Sequence, residues 1–445
     1  MSTSKNSEIV GMDEGIFHLT LEQQEDILSS LSTREKSTSS FIFSKLATKI
    51  KQFYDEEGYV LIRGLIDPEM IRQLQRAGDM VVRKEKNDLP SFTFTSVQFG
   101  AVFSGCEEKN DDDDVLKIFR EVALRSAVPA FISRVLLRMD EEVEEKDGDT
   151  MPTTTTDYDS TATSKTIESN STIQNKNLRV VSDVFLAKTG KEESACGWHV
   201  DALSFWPCSA HQDSSIPVGV NAWIALDDIP SKTHGGGMAI VPRSHSKDCE
   251  WQQKGYDAIG STKNHPLEGY NSITEMISKT PPNPCDLENI SPELNDKLEK
   301  MGKAFNYQQG DVLLMSRWLW HRSMQLLSDE ENETEKLCLS ANSEKEKQTF
   351  KRYTIRYECG NTRLPNGASL HHSILYDPSN AGKTLNQICT STGLPFFPQA
   401  WPCVSESELF HMKKLVKEVL PKTELKRQKL MAEIFASITD AKEPK

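Results

Sequence analysis

The chain has 445 residues, of which 37% are hydrophobic, and it carries a formal net charge of −14 at pH 7. This acidic balance disfavours nucleic acids and anionic membranes as partners. No apolar run approaches the ~20 residues needed to span a bilayer, and the N-terminus lacks the basic-then-apolar pattern of a secretory signal. Nine scattered cysteines without a Cys-x-x-Cys pair predict thiols in a reducing cytoplasm rather than a disulfide framework.

The first part of the chain predicts a polar tail followed by a helix, a strand and a second helix. Residues 1–42 are rich in Ser and Thr and are expected to form a flexible tail. A helix is predicted to end at Gly58, because glycine suits a helix C-terminus, and the apolar run 59–63 predicts a strand. Asp67 as N-cap and Pro68 in the first turn predict the start of the second helix.

Two insertions and a C-terminal helical region divide the rest of the chain. Residues 140–177 have almost no apolar content and are expected to be a disordered insertion. Residues 249–301 are charged and contain several prolines, which predicts a lid-like insertion with short helices. Helical apolar spacing within 404–445 predicts C-terminal helices, which leaves 43–403 as one domain.

Short strand-like runs, separated by Gly, Pro, Asn and Asp, dominate the second half of the chain. Many short strands without intervening helical repeats favour a sandwich or a barrel. The pattern predicts a mainly β domain and leaves a sandwich and a barrel open. The predicted strands lie in residues 92–103, 178–188, 217–229, 237–244, 304–309, 311–316 and 352–358.

His199, Asp201 and His321 are candidate metal ligands. His199 and Asp201 follow a strand-like run and are two residues apart, so on an extended strand both point to one face. His321 follows a later apolar strand, which returns beside this pair if the strands close into a barrel. Two histidines and one carboxylate on one face of a metal are the arrangement of non-haem Fe(II) oxygenases. Taken singly, a His-x-Asp pair also occurs by chance, and His321 also suits a hydrogen-bonded core histidine.

Arg352, Thr354 and Arg356 alternate on one face of the last predicted strand. If this face points into a barrel, the two arginines need an anion, and a guanidinium binds a carboxylate bidentately. The pattern therefore predicts a dicarboxylate co-substrate, with an exposed surface strand as the alternative. Arg352 with Thr354 is the favoured clamp. Arg356 is the alternative, but Glu358 follows it at the same spacing and would repel an anion or satisfy the arginine itself.

The order of these motifs resembles the phytanoyl-CoA dioxygenase family of Fe(II)/2-oxoglutarate oxygenases, over about residues 45–360. The sequence departs from the family at Arg243, where glycine is usual, and in the long polar segment 325–349. The motifs that carry the resemblance are Lys188 with Gly190, Trp198-His199-x-Asp201, Ala222–Leu226, Gly235–His245, Gly310-Asp311 and His321-x-Ser323.

The resemblance implies a mainly β fold, a double-stranded β-helix (jelly roll, cupin-like) core flanked by α-helices. It also implies an enzyme that uses Fe(II), 2-oxoglutarate and O₂, hydroxylates an unactivated C–H bond of a small organic substrate, and releases succinate and CO₂. Asp201 is intact, whereas related halogenases lack this carboxylate, which favours hydroxylation. The residues implied are the iron ligands His199, Asp201 and His321, and the co-substrate contacts Arg352 or Arg356, Thr354, Trp223 and Ser323.

The same residues are compatible with two alternative functions. One is a catalytically silent jelly roll that binds metal or a partner, and the other is a zinc hydrolase built on the same ligands. The complete ligand triad argues against the first, and the two inward arginines argue against the second. The expected partner is a small-molecule substrate, without nucleic acid or membrane, and a monomer is favoured.

Overall fold

The computed structural model describes most of the segments that the sequence analysis assigns to the fold. Residues 140–176 and 327–349 lie outside the described residues, as does most of the chain before residue 41 and after residue 419. The described residues are 15–20, 23, 27, 41–85, 92–94, 102, 111–139, 177–188, 195–210, 216–246, 250–260, 267, 269–272, 275, 279, 283, 285–326, 350–366, 378–419, 422 and 425.

Within these residues the chain forms two β-sheets with helices on their outer faces, the jelly-roll core predicted from the sequence. The strands are β1 (Ile16–His18), β2 (Tyr59–Arg63), β3 (Phe92–Phe94), β4 (Leu178–Lys188), β5 (Val220–Ala225), β6 (Met238–Ile240), β7 (Lys303–Ala304), β8 (Val312–Ser316), β9 (His321–Ser323), β10 (Phe350–Cys359) and β11 (Gln399–Trp401). The large sheet has the order β1-β2-β8-β5-β10-β4-β11, with β3 also paired to β4, and the small sheet has the order β7-β6-β9. All pairs are antiparallel except β1 with β2.

Helices cover both sheets from the outside. The helices are α1 (Phe41–Glu57), α2 (Pro68–Glu85), α3 (Asp111–Arg125), α4 (Ala127–Phe131), α5 (Asp201–Ser204), α6 (Ser231–His234), α7 (Glu250–Gly255), α8 (Leu287–Ile290), α9 (Pro292–Met301), α10 (Leu385–Thr392) and α11 (Glu406–Lys414). Short π-helical turns extend three of them, at Ile132–Leu136, Tyr256–Gly260 and Leu415–Val419. Among the described residues, no helix is long and apolar enough to cross a membrane.

The two predicted helix boundaries near the start of the domain are confirmed. Gly58 directly follows α1 with φ +82°, in the left-handed region where glycine is favoured, and its N–H donates to the carbonyl of Tyr54 at 2.8 Å. Asp67 caps α2, because its Oδ1 accepts from the backbone N–H groups of Glu69 and Met70 at 2.7 and 3.2 Å.

The predicted alternation of β10 is also confirmed, and it divides the strand between two environments. Tyr353, Ile355 and Tyr357 are fully buried in the core formed with α1 to α4. Arg352 and Arg356 lie on the opposite face, which points into the jelly roll. This separation follows from the period of two in a strand, which sends successive side chains to opposite faces.

The predicted flexible tail is wrong for the residues that form β1. Ile16–His18 pairs in parallel with Leu61–Arg63 of β2, and Phe17 is only 2% exposed. The three-residue strand is too short for alternation to reveal it against a polar background. The position of β1 depends on the edge of β2, because pairing with that edge satisfies the backbone hydrogen bonds of β1.

The insertion predicted as a lid forms an outer layer in its described part. Leu287, Leu294 and Leu298 from α8 and α9 are buried together with Trp198 and Val241, which lie on the outer side of the small sheet. An apolar outer face must be covered by another element, and this insertion covers it. The layer therefore supports the strands that carry the candidate histidines.

The prediction of thiols without a disulfide is wrong for one cysteine pair. Cys196 and Cys285 are joined, although they are 89 residues apart in the chain. The packing of the insertion on the small sheet brings their Cα atoms to 4.5 Å, within the range for a disulfide. Cysteine spacing in the sequence carries no information about this long-range approach.

Candidate metal centre and co-substrate site

His199 and His321 are brought side by side by a backbone bridge at the edge of the small sheet. The N–H of His199 donates to the carbonyl of His321 at 2.9 Å, and the N–H of His321 donates back at 3.1 Å. Directly opposed residues in antiparallel strands project to the same side. The two imidazole rings accordingly lie with their centroids 4.3 Å apart.

Asp201 reaches the same place from a helical turn rather than from a strand. Val200 is extended, with φ −120° and ψ 121°, but Asp201 is the first residue of α5. Its carbonyl accepts from the N–H groups of Phe205 and Trp206, both at 2.9 Å, which fixes the turn. The predicted strand therefore ends before Asp201. The extended residue between the two ligands preserves their common direction.

The three side chains present ligand atoms to one point. Donor atoms of His199, Asp201 and His321 all lie within 4.8 Å of one another, and all three residues are buried. Asp201 Oδ1 is 3.6 Å from Nε2 of His199 and 3.7 Å from Nε2 of His321. Two imidazole nitrogens and one carboxylate oxygen form a donor set that suits Fe(II) and leaves other coordination positions open.

The backbone fixes the tautomer of both histidines. Nδ1 of His199 lies 2.7 Å from the carbonyl of Gly197, and Nδ1 of His321 lies 2.9 Å from the carbonyl of Leu319. A carbonyl only accepts, so Nδ1 carries the proton in each ring and Nε2 keeps its lone pair toward the shared point. This arrangement orients both rings for metal binding.

Burial and charge set the protonation states of two of the candidate ligands, His321 and Asp201. Burial lowers the pKa of His321 to about 4, with His199 adding to the effect against the opposing charge of Asp201, so its imidazole is neutral at pH 7. For Asp201, burial opposes ionisation, but the guanidinium of Arg356 and the two imidazoles outweigh it and hold the pKa well below its usual range.

The second oxygen of Asp201 is held by two residues of the large sheet. Its Oδ2 accepts from Asn221 Nδ2 at 2.7 Å and from Arg356 Nε at 2.9 Å. Asn221 and Arg356 are direct cross-strand neighbours on β5 and β10. Sequence reasoning missed Asn221. The available signal was its position two residues before Trp223, on the same inward face of a strand.

Arg352 lies elsewhere on the inward face, beside Ser323. Its Nη2 donates to Ser323 Oγ at 2.9 Å, and its guanidinium lies 5.9 Å from the ring centroid of Trp223. Thr354 is buried on the same face, opposite Trp223 in the strand register. Burial lowers the pKa of Arg352 to about 10, which leaves it charged at neutral pH.

Glu358 is not the ion-pair partner of Arg356, although the sequence offers that pairing as an alternative. It accepts from Arg317 Nη1 at 3.0 Å in an ion pair with both side chains at 0% exposure. It also accepts from Trp206 Nε1 at 2.9 Å. Burial raises the pKa of Glu358, and the adjacent Arg317 opposes this rise. The pair joins β10 to the segments that carry Asp201 and His321.

Three tryptophans near the motifs, Trp198, Trp318 and Trp320, pack in the outer layer. Trp198 Nε1 donates to Glu299 of α9 at 2.9 Å, and Trp320 Nε1 donates to the carbonyl of Trp251 at 3.3 Å. Both are buried in the outer layer. Trp318 belongs to the same cluster.

Comparison with known proteins finds a family match and solved structures of low sequence identity. The family model described as phytanoyl-CoA dioxygenase (PhyH) matches residues 54–332. Among solved structures, the carbocyclase SnoK from nogalamycin biosynthesis is 16% identical with a TM-score of 0.42, covering 78% of this chain and 94% of its own. EctD from S. alaskensis with 2-oxoglutarate and 5-hydroxyectoine is 11% identical with a TM-score of 0.41, covering 79% and 89%. Among curated proteins, none matches the chain.

The jelly roll and the His-Asp-His cluster define a non-haem iron oxygenase. The family match extends over more than half of the chain, so this protein belongs to the phytanoyl-CoA dioxygenase family. It is a 2-oxoglutarate-dependent oxygenase whose cofactor is Fe(II) and whose co-substrates are 2-oxoglutarate and O₂.

Proposed function

We propose that this oxygenase hydroxylates an unactivated C–H bond of a small organic substrate, with release of succinate and CO₂. His199, Asp201 and His321 hold the iron, which when bound supplies the redox chemistry that activates O₂ together with the co-substrate. Asp201 supports hydroxylation, because related halogenases lack a carboxylate at this position. The residues of the chain orient the ligands and exclude water.

The observation that carries the co-substrate assignment is the inward guanidinium of Arg352. Arg356 on the same strand is already paired with Asp201, with 2.9 Å between Nε and Oδ2. Within the described part of the chain, no carboxylate forms an ion pair with Arg352, whose hydrogen bond goes to the neutral Ser323. A charged group taken out of water needs a counter-ion, and a carboxylate of 2-oxoglutarate provides one.

Trp223 and Ser323 complete the proposed carboxylate site. Trp223 is fully buried, and among the described residues its Nε1 has no hydrogen-bond partner. A buried donor without an acceptor is costly, so an incoming acid that accepts from it would relieve that cost. The cavity beside Arg352 measures about 10 Å³ and is lined in part by Leu186 and Phe350. It admits a group the size of a water molecule, so a larger acid enters only if these side chains move.

Turnover under isotopically labelled O₂ tests the proposal. The purified chain is supplied with Fe(II), 2-oxoglutarate and a panel of small metabolites, and succinate and products are measured by mass spectrometry. We expect substrate-dependent succinate release and one labelled oxygen atom in the product alcohol. A cyclised or epimerised product without label would contradict hydroxylation and leave the oxygenase class intact. Absence of both iron binding and succinate release would favour the catalytically silent jelly roll.

A further inference from the structure

Asp201 uses its two oxygens for different purposes. Oδ1 faces Nε2 of His199 and of His321, at 3.6 and 3.7 Å. Oδ2 faces away, toward the amide of Asn221 at 2.7 Å and toward Nε of Arg356 at 2.9 Å. Arg356 also approaches Oδ1, but only at the longer distance of 3.4 Å from Nη2. A carboxylate held in this way presents one oxygen to a metal and cannot rotate without breaking two hydrogen bonds.

We propose that Asn221 and Arg356 are positioning residues that hold Oδ2 of Asp201, so that Oδ1 is fixed as a single-oxygen metal ligand. This inference rests on the proposed metal site and assigns Arg356 a role different from the 2-oxoglutarate clamp. Neither residue touches the two histidines in the described contacts. Their effect on the metal passes through Asp201.

The sheet register explains why these two residues act on one atom. Asn221 of β5 and Arg356 of β10 are Cα partners in the antiparallel ladder, so their side chains leave the sheet together on its inward face. Asn221 is 2% exposed, and the Arg356 side chain is 14% exposed. Arg356 Nη1 also donates to Ser182 Oγ of β4 at 3.2 Å, which fixes the guanidinium from its other side.

The chemistry of Asn221 sets which end of its amide faces the carboxylate. Only the NH₂ group can donate to Oδ2, because the amide oxygen would repel an ionised carboxylate. Among the described residues, the Asn221 oxygen has no hydrogen-bond partner. In this orientation the Asn221 amide donates to Asp201, while its oxygen accepts no hydrogen bond from the described residues.

Arg356 is charged and Asn221 is neutral, so the substitution chosen at each position must keep the charge of the side chain. Arg356 carries a charge that by itself repels Fe(II), so its removal would mix a loss of orientation with a gain in attraction. Asn221→Leu keeps the approximate size and the neutrality of the side chain and removes the amide; the only hydrogen bond lost is the one to Asp201, because the amide oxygen has no partner among the described residues. Arg356→Lys keeps the charge and replaces a planar, fixed fork by a flexible ammonium group. Both variants therefore report orientation at constant net charge.

The experiment measures Co(II) binding to the full chain, by titration and by the visible absorption of the bound ion, which reports coordination geometry. Partners of metal ligands typically contribute 10–100-fold to metal affinity. We expect Asn221→Leu and Arg356→Lys each to weaken Co(II) binding by about this factor and to change the absorption spectrum. Asn386→Leu is the matched control, since Asn386 also contacts an arginine, Arg179 Nε at 2.7 Å, but does not contact Asp201.

Combination with Asp201→Ala shows whether the effect passes through the carboxylate. In that background, Asn221→Leu should change Co(II) affinity no further, because the oxygen that it positions is gone. Unchanged affinity and spectrum in both single variants would overturn the inference, as would an equal effect of Asn221→Leu with and without Asp201. Failure of the wild-type chain to bind Co(II) would instead overturn the metal site on which the inference rests.

Discussion

At the scale of single residues, the two inward arginines of β10 have different hydrogen-bond partners. Arg356 lies at the level of Asp201, and Arg352 lies four residues earlier at the level of Ser323. At ~3.3 Å per residue these two positions are about 13 Å apart, so one co-substrate carboxylate cannot be held by both. The strand thus assigns each arginine its own partner.

The histidine assignment predicts a loss of metal binding in His321→Ala. The variant removes an imidazole whose Nε2 lies 3.7 Å from Asp201 Oδ1. We expect both the anaerobic absorption of the Fe(II)–2-oxoglutarate complex and succinate release to disappear. His234→Ala, which alters a histidine outside the cluster, should retain both signals. Iron binding and turnover at wild-type levels in His321→Ala would remove it from the ligand set.

The clamp assignment predicts a selective defect in Arg352→Ala. Hydrogen bonds to charged groups contribute about 1.5–3 kcal/mol, so loss of a bidentate contact should raise the required 2-oxoglutarate concentration on the order of a hundredfold. Iron binding should remain, because Arg352 does not contact Asp201 in the described hydrogen bonds. The KM for 2-oxoglutarate and the Fe(II) affinity are measured side by side. A normal KM in this variant, with the defect in Arg356→Lys instead, would place the clamp one repeat further along β10.

At the scale of elements, the insertion stabilises the strands that carry the histidines. The N–H of Gly197 donates to the carbonyl of Cys285 at 3.1 Å, directly beside the disulfide to Cys196. Glu299 of α9 accepts from Trp198 Nε1 at 2.9 Å and from Arg322 Nη2 at 3.0 Å. Trp198 and Arg322 each lie next to a candidate ligand in the chain. The outer layer is therefore bonded to both of the segments that carry the candidate histidines.

The disulfide predicts a measurable contribution to stability. Cys285→Ser opens a covalent loop between residues 89 apart, and closing loops of this kind typically stabilises a protein by about 2–4 kcal/mol. We expect a lower free energy of unfolding in urea under non-reducing conditions. Cys403→Ser changes an exposed free cysteine and should have little effect. Equal stability of the two variants would show that the bond adds nothing to the outer layer.

At the scale of the whole molecule, the jelly roll places its insertions around a fixed core. Both predicted insertions leave the strand pairing intact, since β3 pairs with β4 across the first insertion and β6 pairs with β7 across the second. The described part of the second insertion has buried apolar residues and contributes a layer. Residues 140–176 lie outside the described residues, and their composition is the basis for a prediction.

Replacement of residues 140–176 by a Gly/Ser linker of about ten residues should preserve the fold. The segment has almost no apolar residues, and shortening a loop about fourfold changes the closure free energy by only about 1 kcal/mol. Thermal unfolding and Fe(II) affinity of the shortened chain provide the measurement. By contrast, deletion of α9 should strongly destabilise the protein, because Leu294 and Leu298 are buried. A large fall in Tm after the linker replacement would mean that the segment packs.

The sequence by itself determined most of the strands, the inward face of β10 and the residue types at the candidate metal centre. Periods of two, helix caps and the order of the motifs are local properties, so they are readable without a structure. His199, Asp201 and His321 were found in this way, and the structure brings them together. The assignment of the clamp to Arg352 rather than Arg356 rests on Thr354 and Glu358, which follow the two arginines at the same spacing.

Only the tertiary structure decided which partners these side chains meet. Asn221 reaches Asp201 because β5 pairs with β10 in one register. Glu358 of β10 pairs with Arg317, which directly follows β8, rather than with Arg356. Contacts between segments far apart in the chain depend on strand pairing and on the packing of layers. Neither is encoded in the spacing of residues along a single segment, so β1 and the disulfide were also beyond the reach of the sequence.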